Sequence, residues 1–507
     1  MKKILFNILL LFSLLANAQN GDEKRDHIWL LGYTDELPVP PQYGNINFDF
    51  NQSPVEITET GGYMDFSETN SSICDRDGNL LFYTNGIYIG RGTGQAMANG
   101  NGLSPGLWTD EWKDWGMIMP GGALILPVPE SENLYIVLHG LLNVLDNVGP
   151  CITNWYYSIV DMSKQNGQGA VVEKNIEFIA DTLAVGNLAA TRHGNGRDWW
   201  LLIPKFNSNI YYRILLTPGG LQTPETQAIG EAVEEGVGQA VFSPDGSKYA
   251  RNEMIGGAGI ADIISLYDFD RCSGLLSNDV HIAYADSAYT GGAAFSPNSR
   301  FLYIPHYNNL YQFDTDAPDL LASMDTVAVR DAENSPYGTH FYLASLAPDN
   351  KIYINSLSGT QYLHIIHKPD LKGDSCEVEM HGLPLPVWNS SSLPKYPNYR
   401  LGALEGSPCD TIETVGTTGA YSFSKIFVYP NPAGEVVFFD NSRAGEIPSR
   451  VLFYNNMGEV VFEKKWARNM SEYKMDVSGL AAGIYFYTVY GEERVLKSGK
   501  IIVQREY

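Results

Sequence analysis

Phe242-Ser243-Pro244-Asp245-Gly246 reads as a strand running into a tight turn, and the same phrase returns along the chain. It recurs as Phe295-Ser296-Pro297-Asn298-Ser299 and as Leu346-Ala347-Pro348-Asp349-Asn350. Proline pre-sets φ early in the turn and Gly or Asn tolerates positive φ later, so each phrase folds the chain back on itself. A second strand-like run follows each time: Lys248-Tyr249-Ala250, Arg300-Phe301-Leu302-Tyr303-Ile304 and Lys351-Ile352-Tyr353-Ile354. Looser copies begin upstream at Ser72-Ile73-Cys74, Ala123-Leu124-Ile125 and Leu188-Ala189-Ala190. The hairpins are about 50–63 residues apart, which is the spacing of propeller blades and longer than most solenoid repeats.

Two further extended runs follow each hairpin, as in residues 264–270 and 362–367, and four strands per repeat make a propeller blade. Three strand-like runs near the N-terminus, at 27–32, 46–50 and 54–58, lack a first strand, while a lone run at 396–401 follows the last repeat. Joining them closes the ring and removes the open sheet edge that would template aggregation. The expected fold is therefore all-β: a seven-bladed β-propeller over residues 19–405, six or eight blades also fitting the spacing. A Gly/Ser/Thr/Pro linker covers 406–424 and a small Ig-like β-sandwich of about seven short strands covers 425–507.

The chain of 507 residues is 44% hydrophobic and rich in Gly, Pro and Tyr, with no long stretch of helical apolar periodicity. Its net charge of −24 argues against nucleic acid or anionic lipid as a partner, since both require a basic face. Lys2 and Lys3, an apolar run over residues 4–15 and Ala16-Asn17-Ala18 have the form of a signal peptide cleaved between Ala18 and Gln19. No other segment approaches the roughly 20 apolar residues of a membrane-spanning helix, so no integral membrane segment is expected. The five cysteines, Cys74, Cys151, Cys272, Cys376 and Cys409, contain no C-x-x-C pair. Cys376 and Cys409 flank the end of the repeats and are the pair favoured for a disulfide.

Two resemblances follow from these residues. The Phe-Ser-Pro-Asp-Gly units, with Asp268-Phe269-Asp270 and Tyr311-Gln312-Phe313-Asp314 in later strands, resemble the WD-repeat-like and TolB-like propellers of exported bacterial proteins. That likeness speaks to fold and not to function, and the Trp-Asp pair of WD repeats is absent. The C-terminal region resembles the type A sorting domain of type IX secretion cargo. The motifs are Tyr429-Pro430-Asn431-Pro432, the stretch through Gly458, the stretch through Gly483 and Tyr485, and Lys500-Ile501-Ile502-Val503. The resemblance implies the type IX secretion machinery as partner, passage through the periplasm and across the outer membrane, removal of the domain, and release or surface attachment of the body.

Local catalytic signatures are weak. Gly102-Leu103-Ser104-Pro105-Gly106 has the letters of a nucleophile elbow, but Pro105 has no N–H to offer an oxyanion, and the stretch reads as a loop. Asp75-Arg76-Asp77-Gly78-Asn79 lacks calcium-loop spacing and reads as a hairpin turn. His364 and His367 sit three apart in a strand, which sends them to opposite faces. No catalytic residue, metal or cofactor is assigned. Asn187, Arg192, His193, Gln239 and His340 are the polar residues near the inner strands that a ligand would meet. The expected role is a non-catalytic binding or scaffold module for an extracellular protein or glycan. The alternative is a propeller glycoside hydrolase, lyase or peptidase, because such enzymes gather carboxylates from separate blades and leave no local motif.

Overall fold

A computed structural model describes residues 23–33, 43–61, 64–232, 237–254, 262–284, 291–410, 426–441, 448–466, 472–491 and 495–505. The expected signal peptide with its Ala18/Gln19 junction, and most of the expected linker, lie outside the described residues.

Each repeat phrase forms the hairpin expected of it. Val237–Phe242 pairs antiparallel with Lys248–Met254 across the turn at Gly246, Ala294–Phe295 with Phe301–His306, and Ala344–Leu346 with Ile352–Ile354. Gly246, Ser299 and Asn350 hold φ of 72°, 63° and 63°. Asp245 Oδ1 accepts the Ser247 N–H and the Ser243 hydroxyl, which explains why Asp follows Pro here. The looser copies fold alike: Ser71–Cys74 with Leu80–Thr84, Ala123–Pro127 with Leu134–Leu145, and Ala189–Arg192 with Trp199–Pro204.

Four-stranded order follows in every repeat, with one fifth strand where Gly220–Leu221 and Glu225–Ala228 both pair with Ile210–Thr217. Two repeats are stitched edge to edge by the parallel pairing of Ala98 with Ala170. The N-terminal strands Ile28–Gly32, Asn45–Asp49 and Glu56–Thr60 make a separate three-stranded sheet.

Packing is between sheet faces. Trp29, Leu31 and Phe48 of the first sheet share a core with Tyr353, Leu363 and Val387 of the last repeat. Ile28 and Leu30 meet Cys74 and Tyr83 of the next sheet. Further clusters join each later sheet to its neighbour, so the series closes on itself as a β-propeller.

Residues 396–401, expected as a strand, form none. Pro394 and Pro397 cannot donate to a ladder. The segment is held by side chains instead, and it passes through the axis. Asn70 Nδ2 donates to Ser392 Oγ, Tyr399 OH to the Ile125 carbonyl, Asn398 Nδ2 to the Pro244 carbonyl, and Arg400 forks onto Asp26 at 2.6 and 2.8 Å.

The expected Cys376–Cys409 bridge is also corrected: Cys409 is joined to Cys272, with 5.6 Å between Cα atoms. Cys376 is buried beneath the sheet beside Tyr303, whereas residues 402–410 emerge against the turn that carries Cys272.

The C-terminal region has the expected seven strands in two sheets. Phe427–Tyr429, Val436–Asp440 and Glu472–Asp476 form one, and Val460–Lys465, Arg450–Tyr454, Gly483–Tyr490 and Val495–Val503 the other. Val437, Phe439 and Met475 face Val451, Phe453, Val489 and Ile501 across one core. This region docks on the propeller beside the strand Ala170–Leu183 through the partly buried ion pairs Lys497–Glu173 and Lys164–Asp440 and through Phe427 and Tyr429. Among the described residues no helix is long and apolar enough to cross a membrane.

Candidate functional site

The inner strands leave an axial channel, and the 392–401 segment fills one side of it. What remains is a cavity of about 250 Å³ between Lys395, Tyr396, Asn398 and Arg400 on the segment and the inner strands opposite. Small residues line the strand side: Ala189, Ala240, Ala293, Ala294 and Ala344. Alanine recurs there because the strands converge most tightly at the axis. Lys395 is the charged group at the mouth where the inner strands begin. Its Nζ donates to the carbonyls of Gly186 and Leu188 at 3.2 and 2.7 Å, and burial pushes its pKa down to about 7.

The five polar candidates do not converge. Asn187 precedes its inner strand and donates to the Val185 carbonyl, its Oδ1 unpartnered. Gln239 lies in the cavity wall and laces three inner strands together: Nε2 donates to the Ala344 carbonyl and Oε1 accepts the Ala293 N–H. Arg192 and His193 stand at the opposite mouth. Arg192 lies 3.8 Å over the Trp199 ring and donates to the Arg197 carbonyl, with its pKa lowered to about 10 by burial. His193 is a neutral Nε2–H tautomer, donating to the Cys272 carbonyl and accepting the Asn195 N–H on Nδ1. His340 is stacked 3.6 Å from the Tyr307 ring centroid, and burial with nearby Arg330 lowers it to about 4.

Two constellations escaped sequence reading because their members lie far apart in the chain. Ser104 of the Gly102–Gly106 stretch is a loop residue, as expected, with φ of 42°; its Oγ lies 2.7 Å from His139 Nδ1, and His139 Nε2 lies 2.9 Å from Ser158 Oγ. Both Ser104 and His139 are wholly buried, and desolvation pushes His139 down to about 3. The second is a chain of aromatic rings on the side where the inner strands begin: Tyr33–Tyr43 at 5.2 Å, Tyr43–Trp388 at 5.3 Å and Trp388–Tyr337 at 6.3 Å. Tyr337 is 57% exposed.

In the sorting region the separated motifs meet. Asn431 Nδ2 donates to the Lys500 carbonyl and its Oδ1 accepts the Ile502 N–H, while Tyr485 pairs with Ile501 and Gly483 with Val503. Tyr429 donates to Glu472. Gly458, with φ of 81°, turns a separate hairpin that Asn455 braces.

These features define an all-β propeller carrying a C-terminal two-sheet domain. Residues 427–504 match the secretion system C-terminal sorting domain family. The chain is thereby cargo of type IX secretion, destined for the cell surface or the medium. No curated protein matches the sequence. Among solved structures the chain is similar to the Dos1 propeller (11% identity, TM-score 0.39, covering 68% of this chain and 82% of that one). It is also similar to a luciferin-regenerating enzyme (11%, 0.33, 66% and 97%) and to Kluyveromyces lactis Hsv2 (10%, 0.31, 64% and 86%).

Proposed function

We propose that the mature chain is a non-catalytic binding module on the cell surface or in the medium, with an extracellular glycan as its favoured ligand class and a protein as the other. The propeller spans residues 19–405 and has seven blades, the N-terminal three-stranded sheet being the seventh, with segment 392–401 in the place of its inner strand. Residues 425–507 form an Ig-like sorting sandwich behind the 406–424 linker.

The observation that carries the binding role is the aromatic chain Tyr33–Tyr43–Trp388–Tyr337, whose end ring Tyr337 is exposed. Rings of this kind offer large, rigid contact area with a polar edge, which suits a pyranose face. The axis supports the same reading, because His193 and Gln239 spend their polar atoms on the protein itself. A glycan and peptide array probed with the mature chain, alongside a hydrolase panel, tests it. Glycan binding lost in Tyr337→Ala/Trp388→Ala, without product release, is expected; product release, or binding indifferent to both rings, contradicts it.

The Ser104–His139 contact favours the second reading, a hydrolase. It would require an opening to a serine with no exposed surface, and labelling of Ser104 by a fluorophosphonate would establish it.

A further inference from the structure

Segment 330–341 crosses the edge of the last propeller sheet before entering its inner strand. The Pro336–Thr360 bridge and the Gln361 N–H to Ser335 carbonyl bond lay it there. It brings Asp331 and Glu333 against His381, a residue of the Val378–Asn389 strand held at φ of 56°. One oxygen of each carboxylate and the His381 ring nitrogen lie within 4.8 Å of one another.

The tautomer of His381 follows from its other nitrogen. Thr339 Oγ1 donates to the Glu333 carbonyl, which can only accept, so at 2.7 Å from His381 Nε2 that same oxygen must accept the imidazole proton. Nδ1 is thereby the nitrogen turned toward the two carboxylates, and it is the ring atom that a cation held among the three groups would take as ligand. The side chain is nine-tenths buried, and Nδ1 lies 3.7 Å from Asp331 Oδ2 and 3.6 Å from Glu333 Oε2. Two ligands at tetrahedral positions on one ion, with bonds of about 2.1 Å, stand about 3.4 Å apart, close to the observed spacing. Among the described residues neither carboxylate is paired with lysine or arginine.

We propose that Asp331, Glu333 and His381 Nδ1 bind a borderline divalent cation such as Zn²⁺ or Mn²⁺, the remaining coordination open to water. One imidazole and two carboxylates suit that class. The Thr339 hydroxyl, bonded to the opposite ring nitrogen, would aim the imidazole, as metal-bound histidines require. The ion would pin the 330–341 segment, and with it Tyr337, to the neighbouring strand. This departs from the sequence reading, which assigned no metal.

The test is calorimetric titration of the tag-free, chelator-stripped mature chain with ZnCl₂ and MnCl₂, paired with thermal melts. One equivalent of at least one ion is expected to bind and to raise the melting temperature. Asp331→Asn/Glu333→Gln should weaken binding at least about 100-fold and Thr339→Val about 10-fold, the latter being the low end for losing the group that orients a metal-bound histidine. Both carboxylates are exposed, so the metal-free melt of Asp331→Asn/Glu333→Gln should match the parent. Absence of stoichiometric binding of either ion, or binding that survives the double substitution, overturns the proposal.

Discussion

At the scale of single residues, the turn glycine and the axial lysine carry the sharpest consequences. A Cβ on Gly246 would meet Thr191 Oγ1 at 2.8 Å, Arg271 Cδ at 2.9 Å and Leu401 Cδ2 at 3.0 Å, besides the strain of positive φ. Gly246→Val should therefore cost at least about 1–2 kcal/mol in a thermal melt. Asn350 already sits at φ of 63°, so Asn350→Gly should be neutral or slightly stabilising in the same assay. The residue types at these turns were legible because backbone sterics are local. Lys395 was not, since nothing near it in the sequence says that its ammonium is buried against two carbonyls. Its pKa falls from 10.5 to about 7 on folding, so between those values the unfolded chain binds more protons and stability rises with pH. The slope should reach at most about 1.4 kcal/mol per pH unit. Melts from pH 7 to 9 should show it in the parent, and its difference from Lys395→Met should vanish if the lysine is ordinary.

Hairpins were legible at the scale of elements wherever a turn phrase separates two apolar runs, and all of them formed. The axial segment was half legible. Its place at the end of the repeats suggested ring closure, but a strand needs N–H donors that Pro394 and Pro397 lack, and long side chains do the tethering instead. Cysteine pairing failed for a related reason: proximity in the chain favoured Cys376, while the fold brings the turn after Asp262–Asp270 to residue 409. The bridge closes a loop of 137 residues, worth about 5 kcal/mol in the chain-entropy model. Cys272→Ser/Cys409→Ser, or reduction, should lower the melting temperature of the whole propeller while leaving Cys74, Cys151 and Cys376 buried. Labelling of one thiol only in the reduced, folded chain would place the disulfide elsewhere.

For the whole molecule, the repeat phrase and the sorting motifs gave fold and destination, because both are written as short, nearly contiguous patterns. The candidate sites were not written that way. Ser104 and His139 meet where two repeats share one sheet, the Asp331–Glu333–His381 group meets within the last repeat, and the ring chain through Trp388 forms only where the first and last sheets pack together. Of the five polar candidates, Gln239 bonds across inner strands while Arg192 and His193 bond turn carbonyls, contacts that sequence does not distinguish from ligand binding.

Export joins these scales, since it needs the intact sorting domain whose first and last motifs Asn431 ties together. Deleting residues 497–507 removes Lys500 and most of the strand that pairs with Gly483–Tyr490. The propeller, with its own cores, should still fold. Cell fractionation of a strain producing the shortened chain is the most direct measurement: folded propeller held in the periplasm is the expected result, and undiminished delivery to the surface or medium would contradict the account.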